Sequence, residues 1–175
     1  IIKLTEDRMN AEKDINEIGV KAILLVEDSM KYYSRYLPII YKIIFNQTRS
    51  FMSEGLNDYR KMMLMRGRPK ILLATNFEEG KELFEKYKEN LLGVISDVNY
   101  FRDGKRDPEA GFYLLKYVRS YERYFPFLIQ SSDINNEKTA TELKGKFLYK
   151  YSETLEEELK IYINQYFFFF DFEFL

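Results

Sequence analysis

Five short apolar runs are spaced along the chain, and polar or turn-forming residues follow each of them. The apolar residues in these runs are consecutive rather than alternating, so both sides of each strand would face a protein interior. This pattern is typical of parallel strands in a sheet that carries helices on both faces. The runs lie at residues 22–26, 71–74, 92–95, 127–130 and 147–149.

Segments with helical periodicity separate these runs. Asn76 and Glu79 are spaced as an N-terminal capping pair, and Phe77, Phe84 and Tyr87 recur on one side of the helix that would follow. Strand and helix thus alternate along the chain. With right-handed crossovers, this alternation predicts an α/β fold with an open, doubly wound parallel sheet.

The connection after the first strand is too long for one ordinary crossover helix, because it runs from Asp28 to Ile71. Its first half carries two apolar stripes, at 33/37/40/44 and at 32/36/39/43. A helix that is apolar on two sides needs a partner on each side. We therefore predict extended helix over 32–65, either as one long helix that Pro38 would kink or as a helical hairpin, with a helical insertion at about 46–68. The outer stripe would pack on a second helix or on a second chain in a homodimer.

The amino-acid composition limits the partners, catalytic groups and metal ligands that are open to this chain. The 175 residues include 27 Lys and Arg and 28 Asp and Glu, and this near-neutral balance argues against a nucleic-acid partner. There is no His and no Cys, which excludes catalytic triads, thiolate chemistry and zinc-thiolate sites. Any metal would be held by oxygen, which points to a hard cation.

The apolar runs are far shorter than the roughly 20 residues of a membrane helix, and no signal peptide is visible, so we expect a cytoplasmic protein without membrane contact.

The two ends differ in character from the middle of the chain. The sequence begins at Ile1 rather than Met, so we expect a segment of a longer protein, with residues 1–20 linking it to a preceding region. Residues 21–166 would form the domain. Residues 167–175 are rich in Phe and alternate strictly at 170–174, which predicts an edge strand leading to a following region.

Polar residues follow the predicted strands where ligands bind in an open parallel sheet, at the carboxyl edge. Glu27 and Asp28 end the first strand, Asp97 ends the third, Ser131 ends the fourth and Lys150 ends the fifth. Carboxylate oxygens at one edge suit Mg²⁺. An Asp at such a site can accept a phosphoryl group, and a lysine can neutralise the phosphoryl oxygens.

Four segments in this order resemble the receiver domain of two-component response regulators: Leu24-Leu25-Val26-Glu27-Asp28-Ser29, Val94-Ile95-Ser96-Asp97-Val98, Pro126-Phe127-Leu128-Ile129-Gln130-Ser131-Ser132 and Phe147-Leu148-Tyr149-Lys150. The resemblance covers about 21–166. It implies a flavodoxin-like fold of five parallel strands in the order 2-1-3-4-5, and a phosphorelay function.

The resemblance also implies a role for each residue. Asp97 would accept a phosphoryl group from a sensor histidine kinase or a phosphotransfer protein, and no metabolic activity is expected beyond this transfer. Lys150 and Ser131 would assist it. Ser131 and Phe147 would form the conformational switch. Mg²⁺ would be bound by the side chains of Glu27, Asp28 and Asp97 and by the backbone carbonyl of Asn99.

The sequence departs from the receiver pattern in three places. Tyr151 follows Lys150, where receivers usually have a proline in a cis bond, and a cis bond before a non-proline residue costs about 3 kcal/mol. Residues 100–104 replace the family's loop after the acceptor and begin a charged expansion that runs to Gly111. The helical region between Ser131 and Lys150 is short.

Other functions stay open. A degenerate receiver would bind protein partners, or flanking domains of its own chain, without phosphorylation. The enlarged first crossover loosely resembles receiver-like segments of larger bacterial proteins, so a regulatory domain of a phosphoenolpyruvate/pyruvate phosphotransferase is a further alternative. A phosphatase of the haloacid-dehalogenase type is disfavoured, because Asn99 stands where its Asp-x-Asp motif needs the second Asp. A dinucleotide-binding domain is disfavoured because no Gly-rich turn follows the first strand.

Overall fold

A computed structural model describes residues 2–50 and 57–168. Its centre is a five-stranded parallel sheet built from β1 (Ala22–Val26), β2 (Lys70–Ala74), β3 (Leu91–Asp97), β6 (Phe127–Ser131) and β7 (Lys146–Tyr149). The strand order is β2-β1-β3-β6-β7. Counted along this sheet alone, the order is 2-1-3-4-5, so the predicted fold class and topology are confirmed.

Helices cover both faces of the sheet, which explains the uninterrupted apolar strands. One face packs on α4 (Phe77–Tyr87) and α5 (Ala110–Tyr121), and α6 (Asn136–Glu142) adds Ala140 to that core. The opposite face packs on α2 (Met30–Ser50) and α7 (Leu155–Ile163). The short α6 agrees with the short segment expected between Ser131 and Lys150.

The long first crossover is two helices rather than one. α2 is 21 residues long and contains Pro38, and α3 (Asp58–Arg66) follows. Both apolar stripes on α2 contribute to one core, which also contains residues of β1, β3 and α7. The second partner of this helix is therefore α7 of the same chain. The predicted homodimer remains a prediction.

Residues 2–17 are helical and pack on the outer edge of the sheet. They form α1 (Ile2–Ala11) and a π-helical extension (Glu12–Glu17). The fully buried Asp7 carboxylate accepts hydrogen bonds from the Ile71 backbone N–H (3.0 Å), from Arg68 (2.9 Å) and from the Tyr41 hydroxyl (2.8 Å). This carboxylate thus occupies a backbone donor of edge strand β2 that would otherwise be free to pair with another chain. The segment predicted as a linker is part of the packed body, and a connection to a preceding region stays a prediction.

The C-terminal end of the described chain also packs on the body. A π-helical segment (Asn164–Phe168) extends α7, and Phe167 is buried with its ring against β3. A Cβ at Gly93 would lie 2.1 Å from that ring, so this strand position has room only for glycine. Phe167 therefore belongs to the core, one residue beyond the predicted end of the domain. The expected edge strand at 170–174 lies outside the described residues.

None of the helices that the structure describes is long and apolar enough to span a bilayer.

Candidate functional site

The carboxyl edge of the sheet gathers the side chains expected there. Glu27, Asp28 and Asp97 each offer a carboxylate oxygen, and these oxygens all lie within 4.8 Å of one another. Asp28 and Asp97 line a cleft of about 610 Å³ together with Asn99, Ser131 and Lys150, whereas Glu27 is fully buried. The adjacency follows from topology, because β1 and β3 are neighbouring parallel strands and Val26 pairs with Ser96.

Lys150 lies at the centre of the site. Its ammonium is 2.7 Å from Glu27 Oε2 and 2.8 Å from Asp97 Oδ2, and the side chain is only 2% exposed. The Lys150 backbone N–H donates to the Ser131 carbonyl (2.8 Å), which fixes the end of β7 beside the end of β6. A single buried cation therefore bridges the ends of the first and third strands of the sheet.

Glu27 is the most deeply buried of the three carboxylates. Burial and the nearby Asp97 carboxylate raise its pKa to about 7, although the Lys150 ammonium acts in the opposite direction. Glu27 also accepts hydrogen bonds from the Ser29 backbone N–H (3.0 Å) and from Gln130 Nε2 (3.3 Å). These contacts turn Glu27 toward the lysine and hold it there.

Both oxygens of the Asp97 carboxylate have a polar partner. Oδ1 accepts from the Val98 backbone N–H (2.7 Å), and Oδ2 faces the Lys150 ammonium. Burial raises the pKa of Asp97, and the lysine opposes that rise. The backbone behind it is tightly enclosed, because a Cβ at Gly111 would lie 2.0 Å from the Asp97 carbonyl oxygen. The start of α5 therefore packs directly on the main chain of Asp97.

The donor set fits a hard divalent cation. Three carboxylates converge at one edge, and the Asn99 carbonyl lies beside them at the same cleft. Oxygen ligands of this kind are what Mg²⁺ takes in proteins, with water completing the octahedron. The predicted metal ligands are thus brought together, each within the same cleft or its wall.

The two predicted switch residues are near the site but differ in environment. The Ser131 hydroxyl accepts hydrogen bonds from Asn136 Nδ2 (2.9 Å) and from the Asp133 backbone N–H (3.1 Å). The Phe147 ring is half-buried, packs against the core on the α4–α5 face of the sheet, and pairs through its strand with Ile129. Ser131 is thus held by the loop and helix after β6, whereas Phe147 does not line the cleft.

Three contributors to the site carry no recognisable sequence signal. The Tyr32 ring lies 3.9 Å below the Lys150 ammonium, and the Tyr32 hydroxyl shares a 2.9 Å hydrogen bond with the Tyr151 hydroxyl. Tyr151 follows a trans peptide bond, as do all residues that the structure describes. Arg106 donates to Asp28 Oδ2 at 2.6 Å. For Arg106, the sequence indicated only that it belongs to a charged expansion beside the site.

Comparison with solved structures locates the fold among known proteins. A response regulator receiver domain protein from Clostridium thermocellum matches with a TM-score of 0.59 at 17% identity, over 84% of this chain and 94% of that one. A receiver protein from Pseudoalteromonas atlantica matches with a TM-score of 0.55 at 16% identity, over 82% and 94%. The chain has the receiver fold. No protein-family model and no curated protein matches the sequence.

A third receiver-fold structure is the CheX–CheY–BeF3–Mg²⁺ complex from Borrelia burgdorferi. It matches with a TM-score of 0.55 at 13% identity, over 86% of this chain and 92% of that one. In this chain, β3 is followed by an antiparallel hairpin built from β4 (Tyr100–Arg102) and β5 (Lys105–Asp107).

Proposed function

We propose that this chain is a phosphorelay receiver that accepts a phosphoryl group on Asp97 from a histidine kinase or phosphotransfer protein. The observation that carries the proposal is the buried Lys150 ammonium between Glu27 and Asp97, beside a third carboxylate in reach of the same metal. A carboxylate oxygen, a fixed cation and a hydroxyl around one cleft support this proposal. Structures with the receiver fold support the same assignment.

In the transfer, the N–P bond of a phosphohistidine breaks and an O–P bond forms to Asp97, while the imidazole nitrogen leaves with the bonding electron pair. Asp97 Oδ1 is oriented by the Val98 N–H, and Oδ2 lies on Lys150. Lys150 neutralises charge on the phosphoryl oxygens as a point charge. Mg²⁺, held by Glu27, Asp28, Asp97 and the Asn99 carbonyl, would supply further neutralisation of the phosphoryl charge.

The same proposal includes the switch. A phosphoryl group on Asp97 adds acceptor oxygens to the cleft, and the Ser131 hydroxyl would leave Asn136 to donate to one of them. The space that Ser131 vacates would be filled by Phe147 turning inward. A charge event at one carboxylate would thus change the α6–β7 surface, where a partner protein can bind.

The test is labelling with acetyl phosphate and MgCl₂, followed by intact-mass analysis and peptide mapping. Wild-type protein should gain one phosphoryl group, and labelling should require MgCl₂. Asp97→Asn should remove it, whereas Asp133→Asn, on the loop beside the cleft, should retain it. Labelling of Asp97→Asn at the wild-type level would refute the acceptor assignment. No labelling and no Mg²⁺ binding in the wild type would instead favour a receiver that only binds protein partners.

A further inference from the structure

The β4–β5 hairpin presents one arginine to the site from a fixed position. Its turn residues Asp103 and Gly104 both have positive φ (52° and 71°), as a two-residue turn of the type I′ class requires. That turn sets the register, in which Phe101 pairs with Arg106. The hairpin is anchored at its base by the fully buried Tyr100.

One polar contact holds the hairpin on the rest of the molecule, and a second one braces the two strands of the hairpin itself. The Asp103 backbone N–H donates to Glu78 at the start of α4 (2.8 Å), and Arg102 pairs with Asp107 across the hairpin (3.0 Å). Arg106 is therefore carried by an ordered element rather than by a long irregular loop. Its side chain extends from that element to the mouth of the cleft.

Arg106 contacts groups that a metal ion would need. One guanidinium nitrogen is 2.6 Å from Asp28 Oδ2, and the other is 3.3 Å from both the carbonyl oxygen and the side-chain oxygen of Asn99. Asp28 and the Asn99 carbonyl are two of the ligands assigned to the cation. The Arg106 guanidinium thus uses oxygen atoms of Asp28 and Asn99 that a metal ion would need as ligands.

The two cations of the site differ in their freedom to leave. Lys150 is 2% exposed and is enclosed by Glu27, Asp97 and the Tyr32 ring. Arg106 is 52% exposed and lies at the solvent side of Asp28. An incoming divalent cation would be repelled by both, but Arg106 alone can swing into water without leaving a buried charge unpaired.

We propose that Arg106 is a built-in competitor of the divalent cation: it pairs with Asp28 and Asn99 in the metal-free chain and must leave them when the metal binds. This inference rests on the proposed function, because the metal is the one that the receiver site would take. It gives the charged expansion after Asp97 a role, which is to lower the affinity of an otherwise strongly acidic site for Mg²⁺. The hairpin also becomes the part of the molecule that responds to metal occupancy.

The test is calorimetric titration of the full chain with MgCl₂, in which wild type is compared with two variants. Arg106→Gln should bind Mg²⁺ about two- to fivefold more tightly than wild type, the range expected when a partly exposed ion pair no longer has to be broken. Lys105→Gln is the matched control. It removes the same charge from the adjacent residue, whose side chain lies on the other face of the strand, and it should change the affinity less than twofold.

A second measurement uses the wild type alone, so it does not depend on a variant that folds. The Arg106 Nε–Hε signal in ¹⁵N-correlated NMR spectra should move toward that of a solvent-exposed arginine as MgCl₂ saturates the site. A signal that stays in place at saturation would overturn the competition. Equal affinities for wild type and Arg106→Gln, or an equal gain in Lys105→Gln, would also overturn it and leave the receiver function intact. No Mg²⁺ binding by any variant would overturn both.

Discussion

At the scale of single residues, the site is a balance between three carboxylates and two cations. Glu27 and Asp97 share Lys150, and Asp28 pairs with Arg106. Taking carboxylates out of water disfavours their charged forms, and a neighbouring carboxylate adds to that effect. This explains why the pKa of Glu27 rises to about 7 despite a lysine at 2.7 Å.

The raised pKa of Glu27 predicts a pH-dependent stability of the metal-free chain. Because the folded state holds the Glu27 proton up to a pKa of about 7, whereas the unfolded chain releases it near 4.5, folding binds a proton in this range. The stabilisation is complete below pH 4.5 and is lost as the pH rises through 7. The free energy of unfolding in urea with EDTA should therefore fall between pH 5 and pH 8, by on the order of 1–3 kcal/mol.

Glu27→Gln checks the origin of that slope. The variant should be more stable than wild type at pH 8 and should lose most of the decline, with Asp97 accounting for what remains, since burial raises its pKa also. Glu137→Gln, on the exposed side of α6, is the matched control and should keep the wild-type slope. An unchanged slope in Glu27→Gln would show that another group controls the pH dependence.

At the scale of elements, a buried ion pair joins α1 to the edge of the sheet. Asp7 and Arg68 are 0% and 6% exposed, and their atoms are 2.9 Å apart. The Arg68 guanidinium also lies over the Tyr41 and Phe45 rings, at 5.5 Å from each. α1, α2 and β2 are thus joined through a single pair of charges.

Asp7→Asn should destabilise the fold, because it leaves the buried Arg68 charge without its partner. Breaking one side of a buried pair typically costs about 3–5 kcal/mol. Urea unfolding followed by circular dichroism measures this change. Glu6→Gln is the matched control on the same helix, where the pair with Lys3 is half exposed and should contribute less than about 1 kcal/mol. Equal stability of the two variants would mean that α1 contributes little to the body.

At the scale of the whole molecule, the sequence was enough to predict the sheet and the residues at its carboxyl edge. Consecutive apolar residues define strands that are buried on both faces, and acidic residues at strand ends stand out against them. The Arg106 and Tyr32 contacts could not be predicted in this way. They depend on the register of a hairpin and on the direction of a helix face, which local sequence patterns do not determine.

The N-terminal segment is a second case in which local sequence patterns did not predict the tertiary contacts. Residues 1–20 were predicted as a linker from a preceding region, because the sequence begins at Ile1 rather than Met. The burial of Asp7 becomes visible only when Arg68, 61 residues away, and the edge of β2 are placed beside it. The role of Asp7 thus depends on tertiary partners that are distant in the sequence.

Substitution of Ser131 should weaken the conformational response of the molecule to phosphorylation. Ser131→Ala should still be labelled on Asp97 by acetyl phosphate, but its NMR shifts around Phe147 and α6 should be smaller than in wild type, because the hydroxyl that links the cleft to β7 is gone. Ser132→Ala, whose side chain is exposed beside it, is the control and should respond fully. Wild-type shifts in Ser131→Ala would exclude Ser131 from the switch.

The contact between Gly111 and Asp97 has a mechanical consequence. Because a Cβ would come within 2.0 Å of the Asp97 carbonyl, no compressible side chain separates the main chain of β3 from the first turn of α5. The Gly111 N–H also donates to the Val98 carbonyl at 2.9 Å. The strand end and the helix form a rigid joint. A displacement of the Asp97 backbone would therefore have to move the first turn of α5 with it.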